Sequence, residues 1–166
     1  MITLKYRVLP DAKNWWRPEY APRRATKGSA GFDLWGLLMW CTDFVQVEPG
    51  EFVEAPESPT GLLFYTGIAV EIPKGYFGLI LPRSSWATHN GLILHPGVID
   101  SDYRGPLFLV VMRVDLGRLW RNYRIGGVYP IAQLLLLPAP EVKVVQVDEL
   151  SPTQGGEGGF GSPGGA

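Results

Sequence analysis

Asp100 and Tyr103 stand three residues apart in Gly97-Val98-Ile99-Asp100-Ser101-Asp102-Tyr103-Arg104-Gly105, a glycine-bounded stretch between two apolar runs, Leu92 to Leu94 and Leu107 to Met112. An ionised carboxylate can act as a general base, and a ring beside it can meet a ligand, so the spacing suits a hairpin that presents an acid and a ring. The flanking runs are short and carry Phe108, Val110 and Val111, as strands do. Asp and Gly are also ordinary turn residues and Tyr an ordinary half-buried anchor, so the turn alone admits a purely structural reading. Four further segments widen the choice. They are Ser29-Ala30-Gly31-Phe32-Asp33-Leu34, Leu81-Pro82-Arg83-Ser84-Ser85-Trp86-Ala87, Ile131-Ala132-Gln133-Leu134 and Gly156-Glu157-Gly158-Gly159-Phe160-Gly161-Ser162.

The elements that must position these residues are strands. The 21 glycines and 15 prolines are scattered so that few windows long enough for a helix escape them. The sequence predicts strands over Ile2 to Leu9, Phe32 to Leu37, Gly61 to Ile72 in one or two pieces, Tyr76 to Leu81, Leu92 to Leu94, Leu107 to Val114, Ile125 to Val128, Ile131 to Leu137 and Val142 to Val147. Many short strands at regular spacing give an all-β chain, a jelly-roll-like barrel or sandwich. Leu134 to Leu137 and Leu107 to Met112 are apolar without alternation, so both their faces are expected to be covered, in part by another subunit. Residues 1–152 are read as one β domain. Residues 153–166 contain seven glycines and one aromatic, a tail that cannot build a core.

A net charge of −1 and a pI near 6.1 give no global electrostatic reason to bind nucleic acid or an anionic membrane. Cys41 has no cysteine to pair with, and with only His89 and His95 it falls short of a zinc cluster. No apolar run approaches a membrane span and the N-terminal residues lack a signal-peptide core, so a cytoplasmic protein is expected.

In chain order the five segments resemble the five motifs of the trimeric dUTP pyrophosphatase (dUTPase) family, over about residues 27 to 162. The resemblance implies a β-rich jelly roll assembled as a homotrimer, with dUTP as substrate and Mg²⁺ as cofactor. It casts Asp100 as the carboxylate that orients and deprotonates the water attacking the α-phosphorus. Tyr103 becomes the ring beneath the deoxyribose that leaves no room for a 2′-hydroxyl. Arg83 and Ser84, with Ser85, become phosphate donors, and Gln133 a further phosphate contact. Asp33 would reach Mg²⁺ through water only, because Mg²⁺ on a triphosphate keeps most of its waters. The backbone around Gly97 and Ile99 would pair with the uracil edge, with His95 a nearby loop residue. The tail would close over the site with Phe160 on the base and Gly161 and Ser162 beside the nucleotide.

The chain departs from the pattern in places. Ser85 and Trp86 stand where glycine and leucine are usual, Val128-Tyr129-Pro130 where a Gly-acid-Arg lead is common, and Gly155 where the tail usually has an arginine; Arg118, Arg121 and Arg124 are candidate replacements. The related dCTP deaminases resemble the chain in fold and in the Arg-Ser-Ser turn. Their arginine after that turn and their catalytic glutamate fall on Thr88 and Val110 here, which leaves deamination without an acid. A dUTPase-like protein that binds nucleotide and acts through a partner is the remaining alternative.

Overall fold

The computed structural model describes residues 1–39, 44–48, 51–54, 61–86, 93–112, 123, 124 and 126–153, with backbone alone for 44–48, 51–54, 61, 62 and 112. Within them lie β1 (Lys5–Val8), β2 (Phe32–Met39), β3 (Phe44–Glu48), β4 (Glu51–Glu54), β5 (Gly61–Tyr65), β6 (Ile68–Glu71), β7 (Tyr76–Pro82), β8 (Ile93–Leu94), β9 (Gly97–Ile99), β10 (Phe108–Met112) and β11 (Val128–Pro138). The helical pieces among these residues are two 3₁₀ turns, Pro10–Ala12 and Pro18–Tyr20, and a short helical segment at 84–86. The all-β expectation holds.

Seven strands form one antiparallel sheet in the order β8-β10-β5-β2-β11-β7-β9, while β1 pairs with β6 and β3 with β4. Six inter-strand gaps of about 4.8 Å would hold the edges of a flat sheet ~29 Å apart. Leu94 of β8 and Gly97 of β9 are separated only by His95 and Pro96, a link spanning at most ~11 Å. The sheet must therefore curl until its two edges approach, and the His95 N–H, donating to the Val110 carbonyl at 2.7 Å, ties the link to the β10 edge. This is the barrel-like closure predicted from the sequence.

The core lies inside the curl. In β2 Leu34, Gly36 and Leu38 are buried while the odd-numbered residues are half-buried, and Leu109, Val111, Ile131, Leu134, Ile80, Phe64 and Leu94 fill the same interior. Gly36 has to be glycine, because a Cβ there would sit 2.7 Å from that of Phe64. The positive φ of Gly67 (68°) lets the chain turn under Ala12 and Trp15, where a side chain has no room.

Two expectations change. Val142 to Val147 forms no ladder: after the Ala139 N–H donates to the Gly75 carbonyl the chain leaves the sheet, and Val142, Val144, Val145 and Val147 are exposed. Their apolar pattern is strand-like, but β7, the last strand β11 follows, ends its register at Tyr76 opposite Pro138. Of the two unalternating apolar runs, Leu134 to Leu137 is buried or half-buried, while Val110 is 42% exposed between buried Leu109 and Val111, so this chain alone leaves that face open. The two predicted strands Ile125 to Val128 and Ile131 to Leu137 are one strand of 11 residues, with a register irregularity between Pro130 and Ala132; Ile125 lies outside the described residues.

Candidate functional site

Register builds the first half of the site. Gln133 of β11 lies opposite Asp33 of β2 on one side and opposite Leu81 of β7 on the other. Residues directly opposed in an antiparallel pair share a face, and alternation puts Arg83 on the same face as Leu81. Asp33, Gln133 and Arg83 therefore gather on the outside of the curled sheet, although 50 residues part the first two motifs and 50 the next pair. Arg83 Nε is 3.3 Å from Asp33 Oδ1, with the two side chains 32% and 23% exposed.

Neighbouring backbone locks this cluster. The Gln133 side chain donates from Nε2 to the Pro82 carbonyl at 3.1 Å, and a Cβ on Gly31 would stand 2.7 Å from its Oε1, so the glycine before Phe32-Asp33 leaves the amide its space. At the β11 irregularity the Pro130 carbonyl accepts from both Arg83 (3.3 Å) and Trp86 Nε1 (3.2 Å). Trp86 is buried, edge-on to Phe64 and packed on Tyr123, which meets Tyr129 edge-to-face. The unusual Trp86 and the unusual Val128-Tyr129-Pro130 are thus one packed unit that braces Arg83. Ser84 and Ser85 follow in the short helical segment and are exposed.

Asp100 and Tyr103 lie elsewhere. β9 pairs with β7 so that Ile99 opposes Gly78 and Gly97 opposes Ile80. Asp100 follows at the Phe77 end of β7, six residues from Arg83, which is roughly 20 Å at ~3.3 Å per residue. The expected hairpin is also absent: β9 and β10, on either side of the turn, stand at different ends of the sheet order. The turn itself is well defined. The Tyr103 N–H donates to the Asp100 carbonyl at 3.2 Å, and the Tyr103 hydroxyl donates to the Pro106 carbonyl at 2.9 Å. The ring lies so close over Gly105 that a Cβ there would overlap its hydroxyl. Partial burial raises the Tyr103 phenol above its ordinary pKa, and Asp100 is exposed.

Gly97 and Ile99 lie in β9, whose outer edge has no strand partner among the described residues. His95 is exposed, with its N–H engaged by Val110. Arg124 is exposed and its N–H donates to the Tyr129 hydroxyl. Phe160, Gly161, Ser162, Gly155, Thr88, Arg118 and Arg121 lie outside the described residues, as does Cys41. No group of three or more His, Cys, Asp or Glu able to hold a metal occurs among the described residues. No helix among them is long and apolar enough to cross a membrane.

A family model described as dUTPase matches residues 50–164. The chain belongs to the dUTPase family. A deoxyuridine 5′-triphosphate nucleotidohydrolase of Tropheryma whipplei (strain Twist) is 37% identical over 147 residues, covering 87% of this chain and 89% of that protein. Among solved structures, a mutant dUTPase of Staphylococcus bacteriophage 80alpha with dUpNHpp superposes with a TM-score of 0.66 at 25% identity over 99% of both chains. A mutant dUTPase from phage phi11 of S. aureus, studied for the coordination of a structural Mg(II) ion, gives 0.58 at 26% identity over 89% of this chain and 98% of that one. Within this chain the segments of Asp33, Arg83 and Gln133 lie together and the Asp100 turn stands apart.

Sequence reasoning passed over Gly31 as a spacer for Gln133, and Pro130 as an acceptor. Gly31 had no signal beyond its place beside Phe32-Asp33. Pro130 did: a proline inside a strand-like run marks an irregular ladder.

Proposed function

We propose that this protein hydrolyses dUTP to dUMP and pyrophosphate in a site shared between subunits of a homotrimer. The observation that carries the reading is the braced Asp33–Arg83–Gln133 cluster in a chain of the dUTPase family. Asp100 accepts a proton from the water whose oxygen bonds to the α-phosphorus as the bond to the bridging oxygen of pyrophosphate breaks. Arg83, Ser84, Ser85 and Gln133 donate to phosphate oxygens. Tyr103, its hydroxyl tied to Pro106, offers its ring to the deoxyribose and fills the place of a 2′-hydroxyl. The outer edge of β9 around Gly97 and Ile99, without a strand partner among the described residues, offers the alternating N–H and C=O groups that pairing with a uracil edge requires.

A gap of roughly 20 Å between Asp100 and Arg83 along one β7 exceeds the reach of a nucleotide's α-phosphate to its own phosphate clamp. Supply of Asp100 by a second copy removes the difficulty. The exposed Val110, Val142, Val144, Val145 and Leu150 give such an assembly apolar surface to bury. The tail, residues 153–166, closes with Phe160 over the base and Gly161 and Ser162 beside the nucleotide.

Mg²⁺ fits the residues present as an ion that arrives on the triphosphate. Asp33 is a single, partly exposed carboxylate whose other oxygen has no partner among the described residues, which suits hydrogen bonding to metal-bound water and not a protein cage. When bound, Mg²⁺ would neutralise phosphate charge. The cytoplasm is the compartment this role and the lone cysteine favour.

The test mixes two inactive variants, Asp100→Asn and Arg83→Ala, after joint refolding. Release of pyrophosphate from dUTP by the mixture, with neither variant active alone, supports a shared hydrolytic site. Ammonia release from dCTP would favour deamination, and tight dUpNHpp binding by wild type with no turnover of dUTP would favour a binding protein.

A further inference from the structure

We infer that Arg23 is an additional phosphate-binding residue, supplying the uncompensated positive charge of the Asp33–Arg83–Gln133 cluster. Arg23 forms an isolated antiparallel bridge with Asp33, the Asp33 N–H donating to the Arg23 carbonyl at 2.8 Å. Directly opposed residues share a face, so Arg23 stands on the outer face with Asp33 and Gln133, next in the cross-strand row. Its neighbour confirms the alternation: Arg24 lies over the Phe32 ring at 5.0 Å, and Phe32 precedes Asp33 on the opposite face. Arg24 is therefore a packing residue and Arg23 is not.

Charge decides what Arg23 is for. Arg83 is already neutralised by Asp33, and one of its terminal nitrogens is spent on Pro130. A triphosphate carries several negative charges, which a neutral pair and an amide do not balance. Arg23 is exposed and its side chain has no ion pair or hydrogen bond among the described residues. A guanidinium without a partner among the described residues, one strand spacing from Asp33, is placed to grip phosphate oxygens or to span the metal-bound waters that Asp33 faces.

The inference rests on the reading of this face as the triphosphate site, and the experiment separates the two. Wild type, Arg23→Gln and Arg23→Lys, as full-length protein with Mg²⁺, are titrated with dUpNHpp, dUMP and inorganic tripolyphosphate, and their dUTP turnover is measured. Arg23→Gln should weaken dUpNHpp and tripolyphosphate by about tenfold or more, as loss of a charge-assisted contact does, with dUMP nearly unaffected and KM raised more than kcat falls. Arg23→Lys should restore most of the loss. Unchanged tripolyphosphate and dUpNHpp binding in Arg23→Gln, while wild type turns over dUTP, overturns the inference and leaves the function standing. Equal weakening of dUMP and dUpNHpp also overturns it, by showing a structural role. Arg23-dependent tripolyphosphate binding without dUTP turnover in wild type leaves the inference standing and defeats the proposed reaction.

Discussion

The Arg83 cluster and the Asp100 turn are built by opposite strategies. Around Arg83, each polar group is held by something the same chain supplies: Asp33 by register, Gln133 by Pro82 and Gly31, the guanidinium by the Pro130 carbonyl, and that carbonyl by Trp86. Asp100 stands exposed past the end of β9, with order in the turn coming from Tyr103, Gly105 and Pro106. A phosphate clamp must be aimed before the substrate arrives, and internal bracing does that. A general base needs an aqueous neighbour until the site closes, and a surface turn on one copy can be brought to the clamp of another. On the proposed function, one half of the site is pre-organised by folding and the other would be completed by assembly.

The largest expected effect breaks the assembled half. Asp100→Asn keeps the shape of the side chain and loses the base, so kcat should fall about 10²–10⁴-fold with dUpNHpp binding retained. Steady-state and binding measurements on one preparation check this, and near-normal kcat would remove Asp100 from the chemistry. Light scattering should give close to three times the 18.3 kDa chain mass at micromolar concentration; a monomer that still hydrolyses dUTP would contradict the division between the halves.

Trp86→Leu tests the braced half. It removes the Nε1 donor to Pro130 and the edge contact to Phe64, leaving a cavity of the kind that costs about 2–3 kcal/mol. A lowered melting temperature should accompany a raised KM, since Arg83 shares the same carbonyl. Gly105→Ala forces the Tyr103 ring off its seat and should relax discrimination against UTP by less than the loss of the ring in Tyr103→Ala. An unchanged UTP-to-dUTP ratio in both would make Tyr103 an anchor only. Deleting residues 154–166 should have the mildest structural effect: fold and trimer intact, kcat/KM reduced through loss of the cover over the base proposed for Phe160. Equal kcat/KM in full-length and truncated protein would make the tail a spacer.

How far the sequence reached depends on the range of the interaction involved. Strands such as Phe32–Met39 and Tyr76–Pro82 were legible because their side-chain pattern and their Gly and Pro boundaries are local. Val142 to Val147 has the same local pattern and forms no strand, since a strand also needs an unpaired edge within reach. The β3–β4 pair escaped prediction because Glu48, Glu51 and Glu54 interrupt the apolar residues there. The candidate residues Asp33, Arg83 and Gln133 were legible as motif members, and Pro130 only as a departure.

By itself the sequence determined that this is an all-β chain with a glycine-rich tail, and which side chains carry acid, guanidinium, amide and ring. Those are properties of residue type, turn chemistry and short-range periodicity. Only the tertiary structure decided which of them meet. A shift of one residue in the pairing of β11 with β2 would move Gln133 to the other face. The curl of the sheet, the distance from Asp100 to Arg83 and the place of Arg23 beside Asp33 follow from such registers. Register is fixed by contacts between residues far apart in the chain, so no local window contains it.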